Sequence, residues 1–273
     1  MTNKTKKNKT KKNNTKTKKN KESEHIRILS YNISWESMTG RNKNWILCSN
    51  NDNETNPKHF SVCVNNISGV IEETHSDFVC LQEAMDYEKL IKESPRLASM
   101  KHEHHKSGLD NMVTFWKSKY RLLHCIKGEF EEGRPWMATI FNKGICLINV
   151  HFGHYKHDEE FEKMEKMFGE VREGIKQYYR KQNNNKTVIK KIRRYIIAGD
   201  FNYDIKKYGD DESKFELEGI RFYFYPRKII TCRINRLRHY DHVIDTKGTP
   251  LYLGIPEVDY MASDHKPIFA KLV

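Results

Sequence analysis

Eight polar residues of this chain stand beside strand-like apolar runs, and their side chains suit one kind of chemistry. Asn32 closes IRILSYN, Glu83 follows DFVCLQ, His151 follows ICLINV, and Asp200 and Asn202 follow YIIAG. Asp241 precedes HVI, and Asp264 and His265 precede KPIFA. In layered α/β proteins, ligands bind at such strand ends because the scaffold holds the adjoining loops rigidly. A single acid in that place is usually a solvated turn residue; the recurrence of the pattern along the chain points to a site.

The side-chain types agree with one another. Hard divalent cations take oxygen ligands, typically one or two carboxylates with several waters retained. Glu83, Asp264 and the amide oxygen of Asn32 suit that role, for Mg²⁺ or alternatively Mn²⁺. His151 and His265 can bind or protonate phosphate oxygens. Asp200 can orient an attacking water, with Asn202 fixing its neighbour. Asp241 can accept a hydrogen bond from a histidine and favour its imidazolium form. Together they would serve in-line attack on a phosphate, where positioning and charge stabilisation supply most of the rate.

Other clusters carry less. His102, His104 and His105 lie in KHEHHK, a polar, loop-like stretch without apolar support, so a zinc site there is disfavoured. His154 and His157 are expected to face solvent at the start of a helix. Arg134, in EGRPWM, and Arg233 are candidate substrate-phosphate contacts, although an ordinary loop arginine is the simpler reading of Arg134. Arg221–Arg238 interleaves aromatic and basic residues, a pattern that can stack bases and hold phosphates. Core packing is favoured for Phe222 and Phe224, leaving the basic residues for the rim of a cleft.

The elements that must position these residues can be read from periodicity. Strands are expected at 26–34, 77–83, 112–117, 122–130, 136–141, 145–151, 195–199, 228–234, 239–244 and 266–272. A helix over 59–74 presents Phe60, Val64, Ile67 and Ile71 on one face. A longer helix over 157–182 carries a stripe of Phe161, Met164, Phe168, Val171, Ile175 and Tyr178, which is core packing. One mixed α/β domain over 23–273 is the economical organisation.

Charge sits unevenly on this frame. Residues 1–22 hold ten Lys and one Glu, a balance of +9 out of a net +13 for the 273 residues, so the remainder carries only +4. That Lys/Asn/Thr tail cannot bury enough apolar area to fold. It reads as a nuclear-import address, as a phosphate-binding arm, or as a merely solvated extension. No apolar stretch approaches the roughly 20 residues of a membrane-spanning helix, and no secretory signal is evident. A soluble, intracellular monomer is therefore expected. The six cysteines never form a Cys-x-x-Cys pair; they are expected to be reduced and structural rather than zinc ligands or a disulfide framework.

The ordered blocks SYNIS, CLQEA, NVHFGH, AGDFNYD, YDHVID and SDHKPI resemble the endonuclease/exonuclease/phosphatase superfamily over essentially all of residues 25–273. The resemblance implies a deoxyribonuclease-I-like fold, α/β, a four-layer sandwich of two mixed β-sheets flanked by helices. It also implies Glu83 as the main metal ligand, helped by Asn32 and Asp264. Asp200 would orient or deprotonate the water, Asn202 would assist at the phosphate, and His265, polarised by Asp241, would contact it. His151 would be the second phosphate-stabilising histidine. Gly199–Tyr203 is similar to a block of the inositol-polyphosphate 5-phosphatases. However, Asp204 stands where that family has Arg, and Tyr240-Asp241-His242 stands where it has Cys-Asp-Arg. The leading expectation is a metal-dependent nuclease acting on DNA or RNA. The alternatives are a phosphatase or phospholipase-type hydrolase of inositol phosphates or sphingomyelin, and a catalytically silent phosphate-binding protein.

Overall fold

The computed structural model describes residues 25–34, 59–155, 159–183, 192–205, 213–225, 229–232, 238–248, 250–256 and 263–273. Two mixed β-sheets form there. The first contains β1 (Ile26–Asn32), β2 (Phe78–Gln82), β3 (Lys101–Ser107), β4 (Asp110–Trp116), β12 (Tyr252–Gly254) and β13 (Ile268–Leu272), in the order β12-β13-β1-β2-β4-β3. The second contains β5 (Leu122–Glu129), β6 (Pro135–Phe141), β7 (Ile145–His151), β8 (Arg194–Asp200), β9 (Lys214–Leu217), β10 (Ile220–Tyr223) and β11 (Asp241–Asp245), in the order β5-β6-β7-β8-β11-β10-β9. Helices α1 (His59–Thr74), α2 (Tyr87–Glu93) and α3 (Pro95–Ser99) cover the first sheet, and α4 (Glu159–Asn183) covers the second.

Alternation along the strands builds the layers, because successive side chains leave opposite faces of a sheet. Leu29 and Tyr31 of β1 and Val79 and Leu81 of β2 pack outward with Val64, Ile67 and Ile71 of α1. Ile28, Phe78 and Cys80 face inward, where they meet Leu147, Ile196, Ala198 and Val243 from the other sheet. Cys146, Ile148 and Val150 of β7 pack outward under Met164, Phe168, Val171 and Ile175 of α4. Three apolar layers thus separate four structural ones, as expected, and the core stripe of the long helix packs there from Phe161 to Ile175; Tyr178, expected in the stripe, stacks on His124 instead, and Tyr179 packs against the core.

Towards one edge the inner layer turns polar. Gln82 donates to the Asn149 side-chain oxygen at 2.7 Å, and Asn149 donates to the carbonyls of Leu81 and Val113 at 3.3 and 3.2 Å. This bridge joins the two sheets directly beneath the residues that end β1, β2, β7 and β8. Amides in this place fix the sheets' relative position more sharply than apolar contacts, since an unmatched buried amide costs about 1–3 kcal/mol.

Several expectations are corrected. Residues 101–107 form edge strand β3 rather than a loop. The strand was hidden because its polar face meets solvent and His102 and His104 pack against Tyr87, at ring separations of 5.5 and 5.4 Å. His105 turns to the other face and reaches the Gly128 carbonyl, so alternation disperses the histidines. Cys80, Cys125, Cys146 and Cys232 are free, but Cys63 is disulfide-bonded. Sequence spacing carries no information on which thiols meet in space. Within 228–234 only residues 229–232 are described, with Cys232 bridging to His265 instead of a strand. Helices α2 and α3 and strands β9, β10 and β12 are too short for periodicity to announce. Phe222 and Phe224 are buried and His154 is exposed, as read from sequence. The side chain of Phe60, residue His157 and the tail 1–22 lie outside the described residues.

Candidate active site

Strand register brings the polar residues together. β1 and β2 run parallel, as do β7 and β8, so the ends of these strands share one edge of the sandwich. Asn32 pairs with Gln82, which sets Glu83 one residue further out. His151 pairs with Asp200, and Asp200 also pairs with Asp241 on its other side. Three adjacent strands therefore present His151, Asp200 and Asp241 in a row, all buried. Two of these residues have left-handed backbone, Glu83 at φ 55° and Asn202 at φ 53°. For a glutamate this conformation costs on the order of 1 kcal/mol, and such outliers cluster at functional sites.

The contacts are close. Asn32 Nδ2 donates to Asp200 Oδ2 at 2.9 Å and to Glu83 Oε1 at 3.2 Å. Asn32 Oδ1 accepts from the Ser34 N–H at 3.0 Å, which settles the orientation of the amide. The structure thus aims the nitrogen of Asn32, not its oxygen, at the carboxylates. His151 Nε2 stands 3.6 Å from both Glu83 Oε1 and Asp200 Oδ2, and its Nδ1 meets Asp110 Oδ2 at 2.6 Å. His265 Nε2 lies 3.6 Å from Asp200 Oδ2, and its Nδ1 lies 3.0 Å from Asp241 Oδ2. Asp200 Oδ1 accepts the Asn202 N–H at 2.9 Å, while the Asn202 amide donates to the Phe152 carbonyl at 2.7 Å.

Of the two arginines read from sequence, Arg134 is in the cleft. Its Nη1 lies 3.5 Å from Glu83, 3.6 Å from Asp110 and 3.1 Å from His151 Nε2. Arg233 lies outside the described residues. Asp264 is half-buried beside His265, and its carboxylate accepts from the Ser263 hydroxyl, which also holds the Asn32 carbonyl. Sequence reasoning missed Asp110. It stands just before the apolar run of β4, the same signal that marked Asp241 and Asp264, and would have been found by applying that rule to every run. Thr231 was missed as well; its hydroxyl accepts the N–H groups of Tyr240 and Asp241 at 3.0 and 3.1 Å and fixes the start of β11.

Electrostatics divide the groups. Burial opposes the imidazolium of His265, but Asp200 and Asp241 outweigh it and hold the proton well above the usual histidine range. Burial also opposes protonation of His151, and Asp110, Asp200 and Glu83 reverse the balance in the same direction. Asp200 is pushed up by burial and pulled further down by His265, His151 and the Asn32 amide, so it titrates below the ordinary carboxylate range. Asp110 is likewise lowered: burial is exceeded by His151 and Arg134. Asp241 goes the other way, because burial exceeds the help from His265.

The arrangement can hold an anionic phosphate between two imidazolium rings and Arg134, with a buried carboxylate and an amide beside it. It also fits a hard divalent cation. Glu83, Asp110, Asp200 and Asp241 crowd one cleft against three cationic side chains, with Asp264 beside His265, and Glu83 and Asp264 are the two carboxylates that are only half-buried. Asp200, Asp241 and His265 crowd within 4.8 Å of one another, but an imidazolium ring has no lone pair for a cation, which leaves ligation to the carboxylates.

Two face-to-face mixed sheets with helices outside form the deoxyribonuclease-I-like fold, which this chain shares with solved structures. Among solved structures, ANGEL2, a 2′,3′-cyclic phosphatase in complex with adenosine-2′,3′-vanadate, superposes with a TM-score of 0.60 at 13% identity, covering 90% of this chain and 95% of that one. TDP2 of D. rerio complexed with single-strand DNA product gives 0.59 at 13%, over 91% and 98%. In sequence, protein L684 of Acanthamoeba polyphaga mimivirus is 31% identical over 266 residues, 90% of this chain and 50% of that protein. The chain therefore spans about half the length of the curated relative it matches. No family model matches the sequence.

Proposed function

We propose that this chain is a divalent-metal-dependent phosphodiester hydrolase acting on nucleic acid. The observation that carries the proposal is the row His151–Asp200–His265, in which one buried carboxylate lies 3.6 Å from two histidines that each have their own aspartate. Glu83 is the principal ligand for Mg²⁺ or Mn²⁺, with Asp264 as a further carboxylate. The cation would supply charge neutralisation at the phosphate. Asn32 holds Glu83 and Asp200 in place through its amide nitrogen.

Asp200 accepts a hydrogen bond from the attacking water and orients it. Its lowered pKa makes it a weak base, so orientation rather than full proton removal is its contribution. Asn202 fixes the second oxygen of Asp200 through its N–H. His265 and His151 bear on the phosphate oxygens as imidazolium, and His151 is the proton donor to the leaving oxygen. Asp241 and Asp110 favour the imidazolium form of the two rings and fix their positions. Arg134 binds a phosphate oxygen of the substrate.

Nucleic acid is favoured as substrate by the basic balance of the chain. It is favoured too by the adenosine-2′,3′-vanadate and single-strand DNA product held by ANGEL2 and TDP2. The Lys-rich residues 1–22 would serve as a phosphate-binding arm or a nuclear address. Among the described residues, no helix is long and apolar enough to cross a membrane.

The test is hydrolysis by purified protein of single-strand and duplex DNA, RNA, 2′,3′-cyclic-phosphate RNA, inositol phosphates and sphingomyelin, with Mg²⁺, Mn²⁺ or chelator. We expect metal-dependent cleavage of a nucleic-acid substrate, lost in Glu83→Gln. Turnover confined to inositol phosphates or sphingomyelin transfers the site to the alternative substrate class. Wild type and Glu83→Gln equally inert on the whole panel would leave a silent phosphate-binding protein.

A further inference from the structure

A second cluster lies on the opposite face of the strands that carry Asp200 and Asp241. His242 follows Asp241 in β11, so alternation turns it outward, against Phe201 at a ring separation of 5.2 Å. His239 is buried beside it, with ring centroids 4.1 Å apart, and half-buried Asp204 completes the group. One nitrogen from each ring and one carboxylate oxygen lie within 4.8 Å of one another. Nε2 of His242 stands 3.1 Å from the Tyr203 carbonyl and 3.0 Å from the His239 carbonyl. A ring nitrogen facing two carbonyl oxygens carries the proton, which fixes the tautomer with the lone pair on Nδ1. Backbone carbonyls orient metal-binding histidines in this way.

We propose that Asp204, His239 and His242 bind a zinc-class divalent ion, separate from the oxygen-rich catalytic cleft. Two imidazoles and one carboxylate form a borderline donor set that suits Zn²⁺, with water in the fourth position, and suits Mg²⁺ poorly. The consequence is mechanical. Asp204 lies two residues beyond Asn202, while His239 and His242 flank Asp241, so the ion clamps two catalytic segments from behind without touching substrate.

The test uses the full chain, stripped with chelator and re-equilibrated with Zn²⁺ or Co²⁺ under saturating Mg²⁺, followed by metal analysis, visible absorption and thermal melting. One Zn²⁺ per chain is expected in wild type and equally in Glu83→Gln. Co²⁺ should give the intense bands of a four-coordinate site, not the weak ones of octahedral oxygen ligation. His239→Gln and Asp204→Asn should each weaken zinc binding by about tenfold or more and abolish the zinc-dependent rise in melting temperature. If His239→Gln fails to fold, Asp204→Asn decides, since its site is half-buried. A folded wild type that holds no zinc under saturating Mg²⁺ overturns the proposal. So does zinc lost in Glu83→Gln but kept in Asp204→Asn.

Discussion

Asp110 and His151 meet at 2.6 Å across the two sheets: Asp110 opens β4 of the first, and His151 closes β7 of the second. The partner pair repeats the arrangement in reverse, with Asp241 on β11 of the second sheet and His265 just before β13 of the first, 3.0 Å apart. Each catalytic histidine of the proposed mechanism is thus oriented by an aspartate from the opposite sheet. The geometry of the cleft depends on how the sheets are docked.

Replacing Asp110 by Asn should keep the shape and remove the charge that holds His151 protonated. We expect kcat to fall about 10²- to 10³-fold, with little change in the Mg²⁺ dependence. In metal-free protein, the His151 ring should titrate at lower pH than in wild type when followed by NMR. An unchanged ring titration, or full activity, would remove Asp110 from the mechanism.

Arg134 touches Glu83, Asp110 and His151 with one nitrogen and keeps 28% of its side chain exposed. It is therefore placed to reach a substrate phosphate. Arg134→Ala should raise KM about tenfold with a smaller effect on kcat, and Arg134→Lys should recover only part, since lysine lacks the two-pronged contact. A loss confined to kcat would instead make it a transition-state contact.

Gly199 precedes Asp200 in β8 and pairs with Val150 of β7. A Cβ there would lie 2.0 Å from the Val150 carbonyl oxygen, which has no room to withdraw within the ladder. Gly199→Ala is expected to destabilise the protein by about 3 kcal/mol or more, lowering the melting temperature by about 6–12 °C. A shift of less than a degree would show that the two strands can separate freely.

Asp77 opens the way into β2 and accepts from Lys117 and Lys119, each at 3.0 Å, and from the Arg27 N–H at 3.1 Å. Burial raises its pKa, and the two lysines and the N–H pull it further down, to a net value below the usual range. The stabilisation is therefore present above the unfolded-chain value of about 3.9 and is lost as pH falls through the lower folded value. Asp77→Asn should cost about 1–2 kcal/mol at neutral pH, measured by urea unfolding. The two proteins should converge in acid; parallel curves down to pH 3 would contradict the assignment.

Much of this architecture was legible in the residues. Alternating apolar runs announced most long strands, and the three- and four-residue stripe from Met164 to Ile175 announced α4, because burial on one face leaves a period in the sequence. Asn32, Glu83, His151, Asp200, Asn202, Asp241 and His265 could be picked out for a related reason: a polar side chain directly after a buried run is an abrupt change of environment. Edge strand β3 was not legible, since half of it meets water, and neither were the short helices α2 and α3.

What the tertiary structure alone decided is who faces whom. Asp110 is paired with His151 and Asp241 with His265 by the docking of two sheets, contacts between residues 41 and 24 positions apart. The amide of Asn32 is turned by a local N–H, so that its nitrogen meets carboxylates expected to share a cation with its oxygen. Arg134 reads as an ordinary loop residue until β6 places it in the cleft. Sequence periodicity records which side of an element is buried. It holds no record of the distance between two elements, and the chemistry of this site is set at that distance.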